Sequence, residues 1–137
     1  MKIVSISENY LFQKAYTSGK RFGGKRIVIY ILTDKKADFQ RRKNPEKKAI
    51  NRVGISVSKK IGNAVVRSRA RRVIREGYRA LDPELVKGKL IIIAARPGAD
   101  KSKSYEIEKE MRYGFNKLLM FRNAADSDIH GEKGANL

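Results

Sequence analysis

The sequence predicts an α/β domain in which helices pack against a single sheet. Three observations carry that expectation. Strand-length, β-branched runs occur at Arg26–Thr33 (RIVIYILT) and Lys89–Ala95 (KLIIIAA). A period-two alternation of apolar and small polar residues begins at Arg52. Around them, apolar residues recur at helical spacing, so the order reads helix, strands, helix, strand, helix. At 137 residues the chain is the size of one domain and can bury a core without disulfide or metal staples.

Each element has a local cause. Ser5 followed by Glu8 fits a capping box opening a helix over about 7–18, which Gly19 stops. Arg26–Thr33 is apolar on both faces and reads as a central strand. Residues 34–48 (DKKADFQRRKNPEKK) are charged and contain Pro45, which predicts a long loop. From Arg52, Val53, Ile55 and Val57 share one strand face, and Gly54, Ser56 and Ser58 share the other. Asn63 is a suitable N-cap for a helix over 64–81, and Asp82-Pro83 ends it. Lys89–Ala95 predicts a second buried strand, with Pro97-Gly98 turning the chain. Ser104 is the expected cap of a last helix reaching about Arg122, with Ile107, Met111, Phe115, Leu118 and Arg122 in its stripe. The domain is therefore expected over residues 1–122, and the small, polar stretch 123–137 as a disordered tail.

Charge narrows the function. There are 32 Lys+Arg against 14 Asp+Glu, a net charge of +18. An excess of that size calls for a polyanion, nucleic acid first and an anionic membrane surface second. No apolar run approaches the roughly 18 residues of a spanning helix, and Leu90–Ala95 is only strand-sized. The N-terminus lacks the apolar core of a signal peptide, so the cytoplasm is the expected compartment. There is no Cys, which excludes disulfides, thiolate metal sites and a cysteine nucleophile.

The basic residues concentrate between Arg52 and Arg79. Wound at about 100° per residue, Val66, Ala70, Val73, Ile74, Gly77 and Leu81 form the buried face of the 64–81 helix. Ser68, Arg71, Arg72, Arg75 and Arg79 project oppositely, with Arg67 and Arg69 on the flanks. An ordinary solvated face mixes signs. Here Arg71, Arg75 and Arg79 follow at i, i+4, i+8 with Glu76 the only acid, a spacing that destabilises an isolated helix. Arginine's planar fork suits bidentate phosphate contacts. Lys59 and Lys60 end the strand one turn before the helix, where free amides also favour anions. Lys59, Lys60, Asn63 and Arg67 are thus expected to share one anion pocket, and the Gly54/Ser56/Ser58 face to be either a groove floor or a plain solvated strand face.

At these residues a family becomes recognisable. VGISVSKKIGNAVVRSRARRVIRE resembles the protein subunit of bacterial ribonuclease P, whose signature is a strand, a Lys-Lys-x-Gly-x-Ala turn and an Arg-Asn-Arg helix with further basic residues. Here the turn is Lys59-Lys60-Ile61-Gly62-Asn63-Ala64 and the helix carries Arg67-Ser68-Arg69, then Arg71, Arg72 and Arg75. Ser68 departs from the pattern: it keeps a small polar side chain and loses the amide donor. Phe12-Gln13-Lys14, the RIVIYIL and LIIIAARPGA strands and the final helix are similar to the family in order and spacing; residues 34–48 are longer than usual, and the tail finds no counterpart.

The resemblance implies a two-layer α/β sandwich with a mixed central sheet, about three helices and a left-handed crossover, shared with a ribosomal-protein domain. It implies a protein that binds a catalytic RNA subunit and precursor tRNA while the RNA, with Mg²⁺, cleaves off the 5′ leader. It assigns RNA binding to Lys59, Lys60, Asn63, Arg67, Ser68, Arg69, Arg71, Arg72, Arg75 and Arg79. It places the single-stranded leader in a groove lined by Phe12, Tyr16 and Tyr30; aromatics at such spacing are otherwise core residues. No catalytic or metal-binding constellation is legible in the chain itself. Its one His, His130, lies in the tail, and Glu106, Glu108 and Glu110 at i, i+2 spacing do not share a helical face. A ribosomal RNA binder of related fold and a nonspecific DNA-compacting protein remain the alternatives.

Overall fold

The structure, a computed structural model, describes residues 4–6, 9–35, 43 and 50–122. Its elements are β1 (Val4–Ser5), α1 (Asn9–Ser18), β2 (Lys20–Gly23), β3 (Ile27–Thr33), β4 (Arg52–Ser56), α2 (Ala64–Leu81), β5 (Lys89–Ala95) and α3 (Ser104–Lys117), with short 3₁₀ turns at Lys59–Ile61, Asp82–Glu84 and Ala99–Lys101. The sheet is mixed, in the order β1-β4-β5-β3-β2. β1, β4 and β5 run parallel, while β3 is antiparallel to both β5 and β2. β3 is interior, as its two apolar faces require.

The pleat divides the sheet residues between two faces. Ile27, Ile29, Ile31, Val53, Ile91 and Ile93 pack with Ile74, Tyr78 and Leu81 of α2 and Ile107, Met111 and Phe115 of α3. The alternate residues Leu90 and Ile92, with Tyr30 and Leu32 beside them, pack with Leu11 and Ala15 of α1. The expected helical layer is therefore α2 and α3, and the short α1 lies on the other face. Full burial of each Ile or Phe in these clusters contributes about 1.5–3 kcal/mol relative to exposure.

Polar ties fix the layers. The Glu110 carboxylate accepts from the N–H groups of Arg26 (2.8 Å) and Ile27 (3.0 Å), pinning α3 to the start of β3. Buried Asp34 accepts from Arg52 Nε at 2.7 Å and Nη2 at 3.1 Å. Asn51 bridges backbones: it donates to Val86 O (2.8 Å) and accepts from Lys89 N (2.9 Å). The Tyr78 hydroxyl hydrogen-bonds Asp82, which also takes Lys87 Nζ at 2.9 Å. Burial, then the Asp82 hydrogen bond, raises the Tyr78 pKa far above its ordinary value.

Several expectations change. Ser5 belongs to β1, and α1 begins at Asn9 rather than about residue 7; Glu8 lies outside the described residues. Lys103 is the N-cap of α3, its N–H donating to Glu106 Oε1 at 2.8 Å, so Ser104 is the first helical residue. α3 ends at Lys117, well short of Arg122. Leu119 enters the left-handed region at φ 59°, and the chain folds back so that Val86 N bonds Met120 O and Arg122 N bonds Glu84 O. Within 34–48, Lys35 and Lys43 are helical, which corrects the loop expectation at those positions; residues 36–42 and 44–48 otherwise, and the 123–137 tail, lie outside the described residues. Strands β1 and β2 were not anticipated.

Candidate nucleic-acid interface

Helix α2 places the arginines. Its bounds are those the sequence predicts, because Asn63 caps it through Oδ1, which accepts from Val66 N at 3.0 Å, and Pro83 cannot continue it. Ala70, Ile74, Gly77 and Leu81 are buried as expected, joined by Tyr78; Val66 and Val73 are only half-buried. The arginines divide into two sets. Ser68, Arg69 and Arg72 line a shallow hollow of about 340 Å³ with Ala64 and Val65. Arg71 and Arg75 turn instead toward β4 and, with Phe12, Ile6 and Gly54, line a second cavity of about 240 Å³.

Neutralisation within the protein is sparse. Arg79 pairs with Glu76 at 3.2 Å. Among the described residues no acid pairs with Arg67, Arg69, Arg71, Arg72 or Arg75, while Glu84, Glu106, Glu108 and Glu110 are taken by Arg26 and Arg112. Arg67 Nε is buried with no acceptor among the described residues. Lys59 and Lys60 are exposed on their 3₁₀ turn. They stand at the mouth of the helix N-terminus without entering either cavity lining. An uncompensated row of guanidinium groups beside free helix amides is a phosphate-binding arrangement.

The aromatic residues sit where α1 crosses the sheet. Phe12 covers Gly54 so closely that a Cβ at that glycine would stand 2.6 Å from Phe12 Cζ. Glycine is what lets the tip of the ring approach the strand so closely; at Gly54 this strand face, read from the sequence as either a groove floor or a solvated face, is covered by Phe12. Tyr16 and Tyr30 meet edge to face, centroids 4.9 Å apart at 71°. Phe12 and Tyr30 also pack against the smaller core, so each is half-buried, while Tyr16 is 37% exposed. The rings thus have one side in the fold and one side available.

Two cations escaped the sequence reading. Arg21 faces Tyr30 across the β2–β3 ladder, on the α1 face of the sheet. A Cβ at Gly23 would stand 3.4 Å from both Arg21 Nη1 and Arg96 Nη2, so these guanidinium groups converge over the strand. Neither has an acidic partner among the described residues. The only sequence signal was their charge; the convergence depends on the long-range register of β2, β3 and β5.

Among the described residues no group of three or more His, Cys, Asp or Glu could hold a metal ion, and no helix is long and apolar enough to cross a membrane.

Comparisons with known proteins give the family and the fold. Residues 2–119 match the family model described as Ribonuclease P. The chain is 39% identical over 117 residues to the ribonuclease P protein component of Clostridium acetobutylicum, covering 85% of this chain and 90% of that one. It is 38% identical to that of Macrococcus caseolyticus, over 86% of this chain and 97% of the other. The solved Staphylococcus aureus RNase P protein superposes with a TM-score of 0.69 at 29% identity, over 88% of this chain and all (100%) of that one. The Thermotoga maritima RNase P protein, at 17% identity and a TM-score of 0.60, shares the fold over 82% of this chain and 94% of its own.

Proposed function

Because this chain belongs to the bacterial ribonuclease P protein family, we propose that α2 and the α1–sheet groove divide the work of that family between two kinds of RNA contact. As the protein subunit of this ribonucleoprotein endoribonuclease, the chain assists the RNA subunit in removing the 5′ leader from precursor tRNA. Lys59, Lys60, Asn63, Arg67, Ser68, Arg69, Arg72 and Arg79 take the folded RNA, through phosphates. Phe12, Tyr16 and Tyr30 take the unpaired leader, its bases stacking on half-exposed rings while Arg71 and Arg75 follow its backbone. Arg21 and Arg96 continue the same track past Tyr30. Phosphodiester hydrolysis, with its Mg²⁺, belongs to the RNA partner, and the compartment is the cytoplasm.

The observation that carries this reading is the cavity shared by Phe12, Gly54, Arg71 and Arg75: one aromatic roof, one bare strand and two cations with no acidic partner among the described residues. Its test uses Phe12→Ala and Tyr16→Ala in the assembled holoenzyme. Each should lower affinity for leader-bearing precursor tRNA by about 1–3 kcal/mol per lost stack, with mature tRNA bound as before and the melting temperature near normal. A collapsed melting temperature, matching the 3–5 kcal/mol typical of aromatic core truncation (about that range), or equal loss for both RNAs, would make the rings packing residues.

A further inference from the structure

The outer ridge of α3 carries tyrosine and lysine in alternation, one helical turn apart: Tyr105, Lys109, Tyr113 and Lys117, preceded at the same spacing by Lys101. All are exposed, the tyrosines at 70% and 57%. Exposing rings of this size forgoes burial that tyrosine ordinarily finds. A helix face built only for solubility would set Glu four residues from each Lys. Here the α3 acids are turned elsewhere: Glu106 and Glu110 hold Arg26, and Glu108 holds Arg112. Among the described residues no acid pairs with Lys101, Lys109 or Lys117. The Lys117 ammonium stands 5.4 Å from the Tyr113 ring centroid, and Phe22 abuts that ring edge to face at 5.7 Å, which steadies it on the surface.

We propose that this ridge is a second binding surface, for single-stranded RNA and separate from the groove. Rings two turns apart offer stacking platforms, and the ammonium groups between and beside them meet the phosphates next to stacked bases. Unpaired bases fit this pattern because only they present a free π-face; a duplex could use the lysines alone. The net charge of +18 supplies the general attraction, and the ridge supplies the stacking geometry. α3 packs on the sheet face opposite α1. A strand on the ridge is therefore not the segment lying beside Phe12, and the inference stands independently of the leader assignment.

The test uses the full chain assembled with its RNA subunit and precursor tRNA, so that the groove is filled, and a short unstructured oligouridylate as probe. Ultraviolet cross-linking with peptide mapping should place the probe at Tyr105 and Tyr113. The double substitution Tyr105→Ala/Tyr113→Ala should weaken oligouridylate binding at least about fivefold, the lower bound for loss of one base–aromatic stack, with precursor tRNA cleavage unchanged. Lys109→Gln/Lys117→Gln should flatten the salt dependence of oligouridylate binding. Circular dichroism and melting temperature verify that both variants fold. Cross-links confined to other residues, or unchanged affinity in the tyrosine variant, would overturn the proposal. An equal loss for a duplex RNA of the same length would also overturn it, since that would reduce the ridge to nonspecific charge.

Discussion

At the scale of single residues, close approach and burial decide the outcome. Gly54 is the point where Phe12 rests on β4. In Gly54→Ala the added methyl must displace the ring, because the strand backbone cannot retreat from its ladder with β5. The expected result is weaker binding of leader-bearing precursor tRNA, with mature tRNA unaffected; a competitive binding assay with the two RNAs checks it. Tyr78 makes the second prediction. Its folded-state pKa is raised by burial and by Asp82. The unfolded chain therefore releases this proton near pH 10 while the folded protein keeps it, and stability must fall as pH rises through that value. The contribution declines by about 1.4 kcal/mol per pH unit above about pH 10. Tyr78→Phe, which removes the titrating hydroxyl, should lose less stability than the parent between pH 9 and 11 (about that window) in denaturant titrations. The aliphatic residues of this helix define its buried arc in the sequence; Tyr78 joins them because it sits beside Ile74 and Leu81.

At the scale of elements, α2 is a wall of the core and, in the proposed reading, the main electrostatic contact with RNA. Its two roles are separable because Arg69 and Arg72 line the outer hollow while Ala70, Ile74 and Leu81 are buried. Arg69→Ala/Arg72→Ala should leave the far-ultraviolet spectrum and melting temperature unchanged. It should weaken binding to the RNA subunit, each lost phosphate contact lowering the salt slope by roughly 0.7–0.9 in log K per log salt. Filter binding across a salt series measures it. The legibility of the elements follows their physics. α2 and β5 were readable to the residue because a cap, a proline and an unbroken apolar run punctuate them. β1 and β2 were not. β1 spans only Val4–Ser5, and β2 reads KRFG, too short and polar for period two to register. The end of α3 was misjudged because what stops it is a long-range pairing of 120–122 with 84–86, absent from any local window.

At the scale of the whole molecule, the best-buried acids among the described residues serve as structural ties. Asp34 holds Arg52, Asp82 holds Tyr78 and Lys87, and Glu110 holds the backbone of Arg26 and Ile27. Purified protein freed of RNA should release no leader from 5′-labelled precursor tRNA in Mg²⁺, and adding the RNA subunit should produce it; gel resolution of the products checks both halves. The basic character of the site was legible in the sequence because charge needs no fold to be counted. Its division into an outer hollow, a roofed groove and a converging Arg21–Arg96 pair was not, because it depends on which strand lies beside which.

The sheet order β1-β4-β5-β3-β2 also governs how the site comes into being. β2 and β3 are neighbours in sequence and can pair as soon as both exist. Among the described residues, β3 and β4, the two strands that flank the centre, are joined only by β5, which comes last of the five in the chain. During translation the chain therefore carries its arginine helix before it owns the sheet that holds Phe12 and Gly54 in register. Pairings between residues far apart in sequence close slowly, since loop entropy must be overcome before they reward it. For an interval after α2 leaves the ribosome, the nascent chain is a concentrated positive charge without a groove. On the proposed reading it can attract RNA but cannot yet grip a leader, and selectivity arrives only when β5 slides between its two neighbours.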